Sequence, residues 1–255
     1  MIGAVVVTHN SEKQIAKCIE SLKKEGVTDI LVVDSASQDK TQHVVLSTGC
    51  KFILLNENKG FGTAANKGAQ EMNTDYVLFI NPDAYVLPGS IEAVQDIYAK
   101  EKEVGVIGMM LLDTNGIPEA HSFGSEPTLS TLFNRHVSSL PSPTSPMNVD
   151  WVSGGALCIP RSLFLEVGEF DESFFLYWED VDLCTRVRNA GYSVLITPHA
   201  RAIHLHGASH SDERLKTRMY DLSADRYYKK HYATHIWYLQ RILRNIYRWL
   251  QSGPL

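Results

Sequence analysis

Two acidic stretches, far apart in the chain, carry residue types suited to group transfer. In Phe79-Ile80-Asn81-Pro82-Asp83 an apolar run gives way to a short acidic turn. A carboxylate there can take a hard divalent cation, because Mg²⁺ is typically held by one or two carboxylates with substrate phosphates completing its shell. The same residues are also good turn chemistry, since Asn-Pro-Asp favours a capping turn. The second stretch runs from Phe170 through Asp171, Phe174, Phe175, Tyr177 and Trp178 to Glu179-Asp180-Val181-Asp182. Three carboxylates open an expected helix directly after a run of aromatics. The helix dipole accounts for one or two acids at that place. It does not account for the aromatics, which suggest a pocket for a sugar or a nucleobase. A carboxylate poised against an acceptor hydroxyl is a general base. Asp182 and Arg186, four apart on the expected helix, can pair with each other.

Two further motifs have both a structural and a functional reading. In Asn58-Lys59-Gly60-Phe61-Gly62-Thr63-Ala64-Ala65-Asn66-Lys67-Gly68, glycines fill a turn that opens onto a helix. Backbone amides at a helix N-terminus can hold an anion, and missing side chains allow close approach. A tight strand-to-helix turn explains the same glycines, and neither a Walker loop nor a good dinucleotide fingerprint is present. His204-Leu205-His206 ends an expected strand. A histidine there can complete a metal site or serve as an ordinary loop residue.

The elements that must position these groups alternate between strand and helix. Expected strands cover Ile2–Val7, Asp29–Val33, Lys51–Leu55, Tyr76–Ile80 and Val104–Met109. Helices are expected from about Ser11, read as an N-cap, over Ser37–Leu46, near Thr63–Met72, and after Pro88 to about Lys100. Repeated β-α-β alternation implies a largely parallel sheet with helices on both faces. Ligands bind such sheets beyond the carboxyl ends of the strands. The residues ending four consecutive strands should therefore share one rim: Thr8, His9 and Asn10; Asp34; Asn56 and Asn58; Asn81 and Asp83. From Pro127 to Pro146 four prolines mark a long excursion. Order is expected to resume with a strand at Gly155–Ile159, helices at Arg161–Val167 and Glu179–Ala190, and a strand at Ser193–Ile196.

Bulk properties narrow the class. A net charge of −5 argues against a nucleic-acid binder. Cys18, Cys50, Cys158 and Cys184 are widely spaced and form no CxxC pair, so they read as reduced, mostly buried thiols of a cytosolic protein. MIGAVVVTHN reads as a first strand rather than a signal peptide. No run approaches the roughly 20 apolar residues of a membrane span. Near the C-terminus, Ile236, Leu239, Leu243, Ile246 and Leu250 form one helical stripe, with Arg241, Arg244 and Arg248 elsewhere on the circumference. That helix either docks on the domain or lies on an anionic membrane surface.

In order, VVVTHN, VVDSASQDKT, NKGFGTAANKG, LFINPDA, the long VSGGALCIPRSLFLEVGEFDESFFLYWEDVDLCTRVRNAGY segment and HLHGAS resemble the family 2 glycosyltransferases, above all their rhamnosyltransferase-like bacterial members. The resemblance runs from Val5 to about Ser209. It implies the α/β GT-A (nucleotide-diphospho-sugar transferase) fold, with a mostly parallel central sheet over residues 1–212 and a C-terminal helical extension over 213–255. The nucleotide-binding half would span about 1–110 and the acceptor-side half about 150–212. Thr8, Asn10 and Asp34 would line the base and ribose pocket, with Asp39 supporting it, and Gly60, Gly62 and Asn66 would face the nucleotide. Asp83 would contact Mg²⁺ or Mn²⁺ as the surviving acid of the family's DxD element, whose first position is Asn81 here. Gly154, Gly155 and Trp178 would border the acceptor. Glu179-Asp180 matches the ED motif, whose Asp is taken as the base, and His204, with His206 as second choice, matches a late histidine near the metal. The implied reaction is inverting transfer of a sugar, rhamnose as first choice, to an acceptor hydroxyl in cell-surface polysaccharide synthesis. The donor would be dTDP-rhamnose or a UDP- or GDP-sugar. The acceptor would be a glycan or lipid-linked, met in the cytoplasm or at the inner face of the cell membrane. A sugar nucleotidylyltransferase is the first alternative, but it should carry a glycine- and arginine-rich loop after the first strand, where THNSEK stands. A non-catalytic carbohydrate-binding protein is the second, and it would need neither acidic motif.

Overall fold

Ile2–Thr8 (β1) is apolar without alternation because it runs through the middle of a sheet, buried on both faces. The computed structural model of the protein describes residues 1–120, 122–128, 142–205 and 213–252, the last six by backbone alone. After β1 the chain forms α1 (Ile15–Lys24) and returns as β2 (Ile30–Asp34), parallel to β1 with Val5 beside Leu31. α2 (Thr41–Ser47) leads to the edge strand β3 (Lys51–Leu54), and α3 (Phe61–Glu71) leads to β4 (Tyr76–Ile80) on the other side of β1. Short β5 (Ala84–Val86), α4 (Ser90–Lys100) and β6 (Val104–Leu112) follow.

Alternation across the strands builds two core layers. Ala4, Val6, Val32, Leu78 and Ile80 face α1 and α4, while Val5, Val33, Val77 and Phe79 face α3. On α1, Ile15, Cys18, Ile19 and Leu22 recur at helical spacing and are all essentially inaccessible. Burying each of its aliphatic side chains stabilises the fold by roughly 1.5–3 kcal/mol. An Ile19→Asp change would put an unpaired charge into that layer. Ser11 does not cap α1 as expected. Its N–H is held by Thr41 Oγ1 and its hydroxyl donates to the His9 carbonyl, and the helix begins at Ile15.

The sheet is mostly parallel, as expected, and becomes antiparallel where the chain returns. β7 (Phe123–Gly124), β8 (Met147–Asn148) and β9 (Trp151–Val152) precede β10 (Ala156–Pro160), which inserts antiparallel between β4 and β6. The reason is connectivity: β6 ends at the carboxyl rim and the chain re-enters the sheet from that rim. α5 (Arg161–Glu166), α6 (Glu179–Asn189) and β11 (Ser193–His204) complete the domain. β11 is longer than expected, runs parallel to β6 through an irregularity between Thr197 and Arg201, and pairs β5 antiparallel. The resulting order is β3-β2-β1-β4-β10-β6-β11-β5, with β8 also on β11. Helices α7 (Glu213–His231) and α8 (Thr234–Ser252) close the described chain. Residues 129–141 of the proline-rich excursion, His206, and the side chains of Tyr247, Arg248, Trp249 and Leu250 lie outside the described residues.

Candidate active site

The rim forms because parallel strands deliver their carboxyl ends where antiparallel strands deliver their amino ends. Thr8 and Asp34 end β1 and β2 as register partners. Gly155, just before β10, accepts the Asn81 N–H through its carbonyl at 3.0 Å, which joins the turn after β4 to the start of β10. On the far side, Ala84 of β5 is the register partner of His204 of β11. Asp83 and His204 are therefore brought together by strand pairing.

Their contact is direct. His204 Nε2 lies 3.3 Å from Asp83 Oδ1, and its Nδ1 lies 3.2 Å from Glu119 Oε1. Burial acts to lower the His204 pKa, but hydrogen bonds to the two carboxylates and their charges outweigh it and raise the pKa to about 9. Metal-bound histidines characteristically give their second nitrogen to a carboxylate, and Glu119 has that relation to His204. Glu119 carries no signal in the sequence, being a single acid in a loop after β6. Among the described residues no group of three His, Cys, Asp or Glu converges as a complete metal site. One carboxylate and one imidazole fit an ion whose other ligands come from a diphosphate.

Asp180 occupies the opposite side of Gly154-Gly155. Its Oδ2 accepts the Gly154 N–H at 2.8 Å and its Oδ1 the Val181 N–H at 2.8 Å. A Cβ on Gly154 would sit 3.7 Å from Asp180 Cβ, at ordinary contact distance. Burial raises the Asp180 pKa above the usual carboxylate range, against the pull of those two amides. Glu179 is 6% exposed. Burial, then the adjacent Asp180 charge, pushes its pKa well above the ordinary value and favours the neutral acid. The expected Asp182–Arg186 pair is present at 2.9 Å.

At the β1 and β2 ends, Asn10 is left-handed (φ 52°), its amide oxygen accepts the Gln38 N–H, and its backbone N–H donates to Ser37 Oγ. Asp34 Oδ1 accepts from the Ser37 N–H and hydroxyl. Asp39 binds the N–H and hydroxyl of Thr41 and the N–H of Glu12, which makes it a strut of the loops rather than a free ligand group. Burial opposes the charged form of Asp39, but these hydrogen bonds prevail and lower its pKa. Thr8 Oγ1, Asp34 Oδ2, Ser35 Oγ and Glu179 Oε2 have no hydrogen-bond partner among the described residues. Buried polar atoms are normally paired, so this rim has unfilled hydrogen-bonding capacity.

Two features expected to face the nucleotide make protein contacts. Both ends of the Asn66 amide bond the Phe170 backbone, each at 2.9 Å, and its Nδ2 also lies 3.3 Å from Glu172 Oε1. In the turn before α3, Gly60 N–H donates to Asn58 Oδ1 and Phe61 N–H to the Phe175 carbonyl. A Cβ on Gly62 would meet Phe170 Cβ at 3.1 Å. The glycine turn thus packs against the segment leading to Asp180. The aromatics of that segment are also mainly core. Phe170 stacks edge-on with Phe79 and Phe164, and Trp178 packs between Tyr220, Tyr227 and Tyr228 of α7. Trp178 is 8% exposed and offers little surface to an acceptor. It and Tyr177 have φ near +70°, which costs each about 1–3 kcal/mol in a non-glycine residue.

The family described as glycosyl transferase family 2 matches residues 4–147. The chain is 27% identical over 236 residues to an N-acetylglucosaminyl-diphospho-decaprenol L-rhamnosyltransferase of Mycobacterium tuberculosis, covering 80% of this chain and 76% of that one. It is 24% identical over 235 residues to the rhamnosyltransferase WbbL of Escherichia coli, covering 84% and 86%. Its fold superposes, with a TM-score of 0.65 at 15% identity, on a mannosyltransferase from Pyrobaculum calidifontis in complex with GDP-Man and Mn²⁺, covering 90% of this chain and 63% of that one.

Proposed function

Because the chain belongs to glycosyl transferase family 2, we propose that it moves rhamnose from a nucleoside diphosphate to a hydroxyl of a lipid-linked glycan, with inversion at the anomeric carbon. Nucleotide-sugar transfer in cell-surface glycan synthesis follows from the family and from the rhamnosyltransferase relatives. Rhamnose as the sugar, dTDP as the leaving group and the lipid-linked acceptor are the finer reading, supported by what those relatives are named for. The observation that carries the mechanism is the Asp180 carboxylate, fixed by the Gly154 and Val181 amides and one residue pair away from Asn81 and Asp83.

In this reading residues 1 to about 110 hold the nucleotide and those from about 150 hold the acceptor. The acceptor oxygen bonds to the anomeric carbon from the face opposite the leaving group. The bond from that carbon to the diphosphate breaks, the diphosphate keeps the electron pair, and Asp180 takes the hydroxyl proton. Of the acidic pair, Asp180 is the member whose carboxylate is held by two backbone amides, which favour its charged form. Asp83 and His204, with Glu119 behind the imidazole, would hold Mg²⁺ or Mn²⁺ jointly with the donor phosphates. Such an ion, when bound, neutralises charge on the departing diphosphate.

The outer face of α8 suits a membrane-borne acceptor. Tyr238, Leu239, Ile242 and Ile246 are exposed at helical spacing, and Arg214, Arg218, Arg241 and Arg244 outnumber Asp221 and Asp225 in lining a cavity of about 590 Å³ between α7 and α8, where Arg244 pairs with Asp225. An apolar stripe beside cationic residues is the pattern of a helix lying at an anionic lipid surface. No helix among the described residues is long and apolar enough to cross a membrane.

The test is a transfer assay with the full chain, a lipid-linked N-acetylglucosamine diphosphate acceptor, Mg²⁺ or Mn²⁺, and each of dTDP-rhamnose and the common UDP- and GDP-sugars. Product configuration is read by NMR. Transfer from dTDP-rhamnose with inverted configuration is expected. A retained configuration would overturn the single displacement, and turnover with a different donor only would overturn rhamnose.

A further inference from the structure

The segment that presents Asp180 is held from two sides. On one side lies the turn before α3, whose Phe61 N–H donates to the Phe175 carbonyl at 3.1 Å. On the other lies α7, which reaches the segment at several places. Ser223 Oγ donates to the Leu176 carbonyl at 2.8 Å, and Tyr227 stacks on Trp178 at 5.1 Å between centroids. The Tyr227 hydroxyl meets Thr185 Oγ1 at 2.9 Å. Lys230 contacts Asp171 at 2.7 Å, and His231 Nε2 lies 2.7 Å from Asp182 Oδ1. Phe174, Trp178 and Val181 form one buried cluster with Ala224, Tyr227 and Tyr228.

These contacts coincide with the strained part of the backbone. Tyr177 and Trp178 are consecutive left-handed residues directly before Glu179-Asp180. Side chains of this bulk do not hold that conformation unless their surroundings impose it. Ser223 bonds the carbonyl just before the strained pair, and Tyr227 packs on its second member. His231 fixes Asp182, two residues past Asp180, whose carboxylate is fully buried. Ser223 and Tyr227 are themselves buried, so neither can meet an acceptor.

We propose that α7 is a positioning element for the general base: Ser223, Tyr227 and His231 impose the backbone path that aims Asp180, without taking part in the reaction themselves. The proposal rests on Asp180 being the base. It makes the C-terminal extension part of the machinery of transfer rather than a separate appendage.

The experiment uses the full chain with Ser223→Ala, His231→Ala and the conservative His231→Gln. His231→Ala leaves Asp182 paired with Arg186 and Lys230, so the carboxylate is not stranded. Because misplacement of a catalytic group by about 1 Å can cost on the order of 100-fold, each Ala variant should lose at least about 10-fold in kcat. Donor KM should stay within about two-fold of the parent, and His231→Gln, which keeps an N–H donor, should recover most of the loss. Amide exchange over residues 174–182 should quicken in the Ala variants. Unchanged kcat in both Ala variants would overturn the proposal. So would a loss of kcat matched by donor KM and melting temperature, which is the mark of general destabilisation. Asp180→Asn, run alongside, separates the two ideas. If it stays active the base assignment fails, and if it is dead while the α7 variants behave as wild type only the positioning role fails.

Discussion

Gly60→Ala separates a packing role of the glycine turn from a phosphate-cradling role. Gly60 has φ 97° and ψ 173°, a conformation open essentially to glycine alone. A Cβ there would lie 2.2 Å from the Phe175 carbonyl oxygen, far inside contact distance and against backbone rather than a flexible side-chain end. The backbone strain is worth about 1–3 kcal/mol, and forcing the extra carbon into a filled space about 1–3 kcal/mol more. Together these come to about 2–6 kcal/mol, and at roughly 2–4 °C per kcal/mol for a domain of this size melting should fall by about 4–24 °C. If the segment around Phe175 yields instead, the fall will be smaller and Asp180, five residues on, will move. A displacement of about 1 Å then removes on the order of 100-fold from kcat. Thermal melting with steady-state kinetics reads both outcomes, and donor KM is expected to stay near the parent value. A variant with parental melting and kcat but a greatly raised donor KM would refute this reasoning and restore the turn as a phosphate site.

Other perturbations address the remaining parts. Asp83→Ala should abolish the strengthening of donor binding by Mg²⁺ or Mn²⁺ in calorimetry, and donor binding that is still metal-dependent would remove Asp83 as a ligand. For Asp171, burial pulls the pKa up, but Lys230 and Ser173 prevail and hold it at about 2, below the ordinary 3.8. A depressed folded-state pKa means its stabilisation is complete above about pH 4 and is lost as pH falls through about 2. The melting deficit of Asp171→Asn should therefore be present at pH 6 and nearly absent at pH 2, and an equal deficit at both would contradict the ion pair. On α8, the double change Ile242→Asp and Ile246→Asp should reduce co-sedimentation with phosphatidylglycerol vesicles, and equal binding by parent and variant would dismiss the membrane face.

What the chain revealed without coordinates was mostly local. β1, β2 and β4 stood out because strands buried on both faces must be continuously apolar, and the polar residues ending them had to collect at one rim. The acid motifs were legible for the same reason, since carboxylates at a strand end and a helix start are visible in a short window. Partners distant in sequence were not. Asn66 reads as a polar residue facing a ligand, but the backbone of Phe170, 104 positions on, bonds both ends of its amide. The aromatics before Glu179 suggest a sugar pocket because no short window links them to their partners Ala224, Tyr227 and Tyr228, at helical spacing on the buried face of α7. Short β5 escaped notice because three residues show no period, and Glu119 because a single loop acid has no pattern. β10 reads as a strand in either direction, and only the entry of the chain at the rim makes it antiparallel.

The central claim is that Asp180 takes the acceptor proton while other groups hold the donor. Its most direct test is Asp180→Asn, which keeps an oxygen for one of the two backbone amides and removes the basic site. The transfer rate and the donor Kd should be measured on the same preparation. Loss of a positioned base should lower kcat by at least about 100-fold, with donor Kd within about two-fold of the parent. Retention of most of the transfer rate would contradict the assignment.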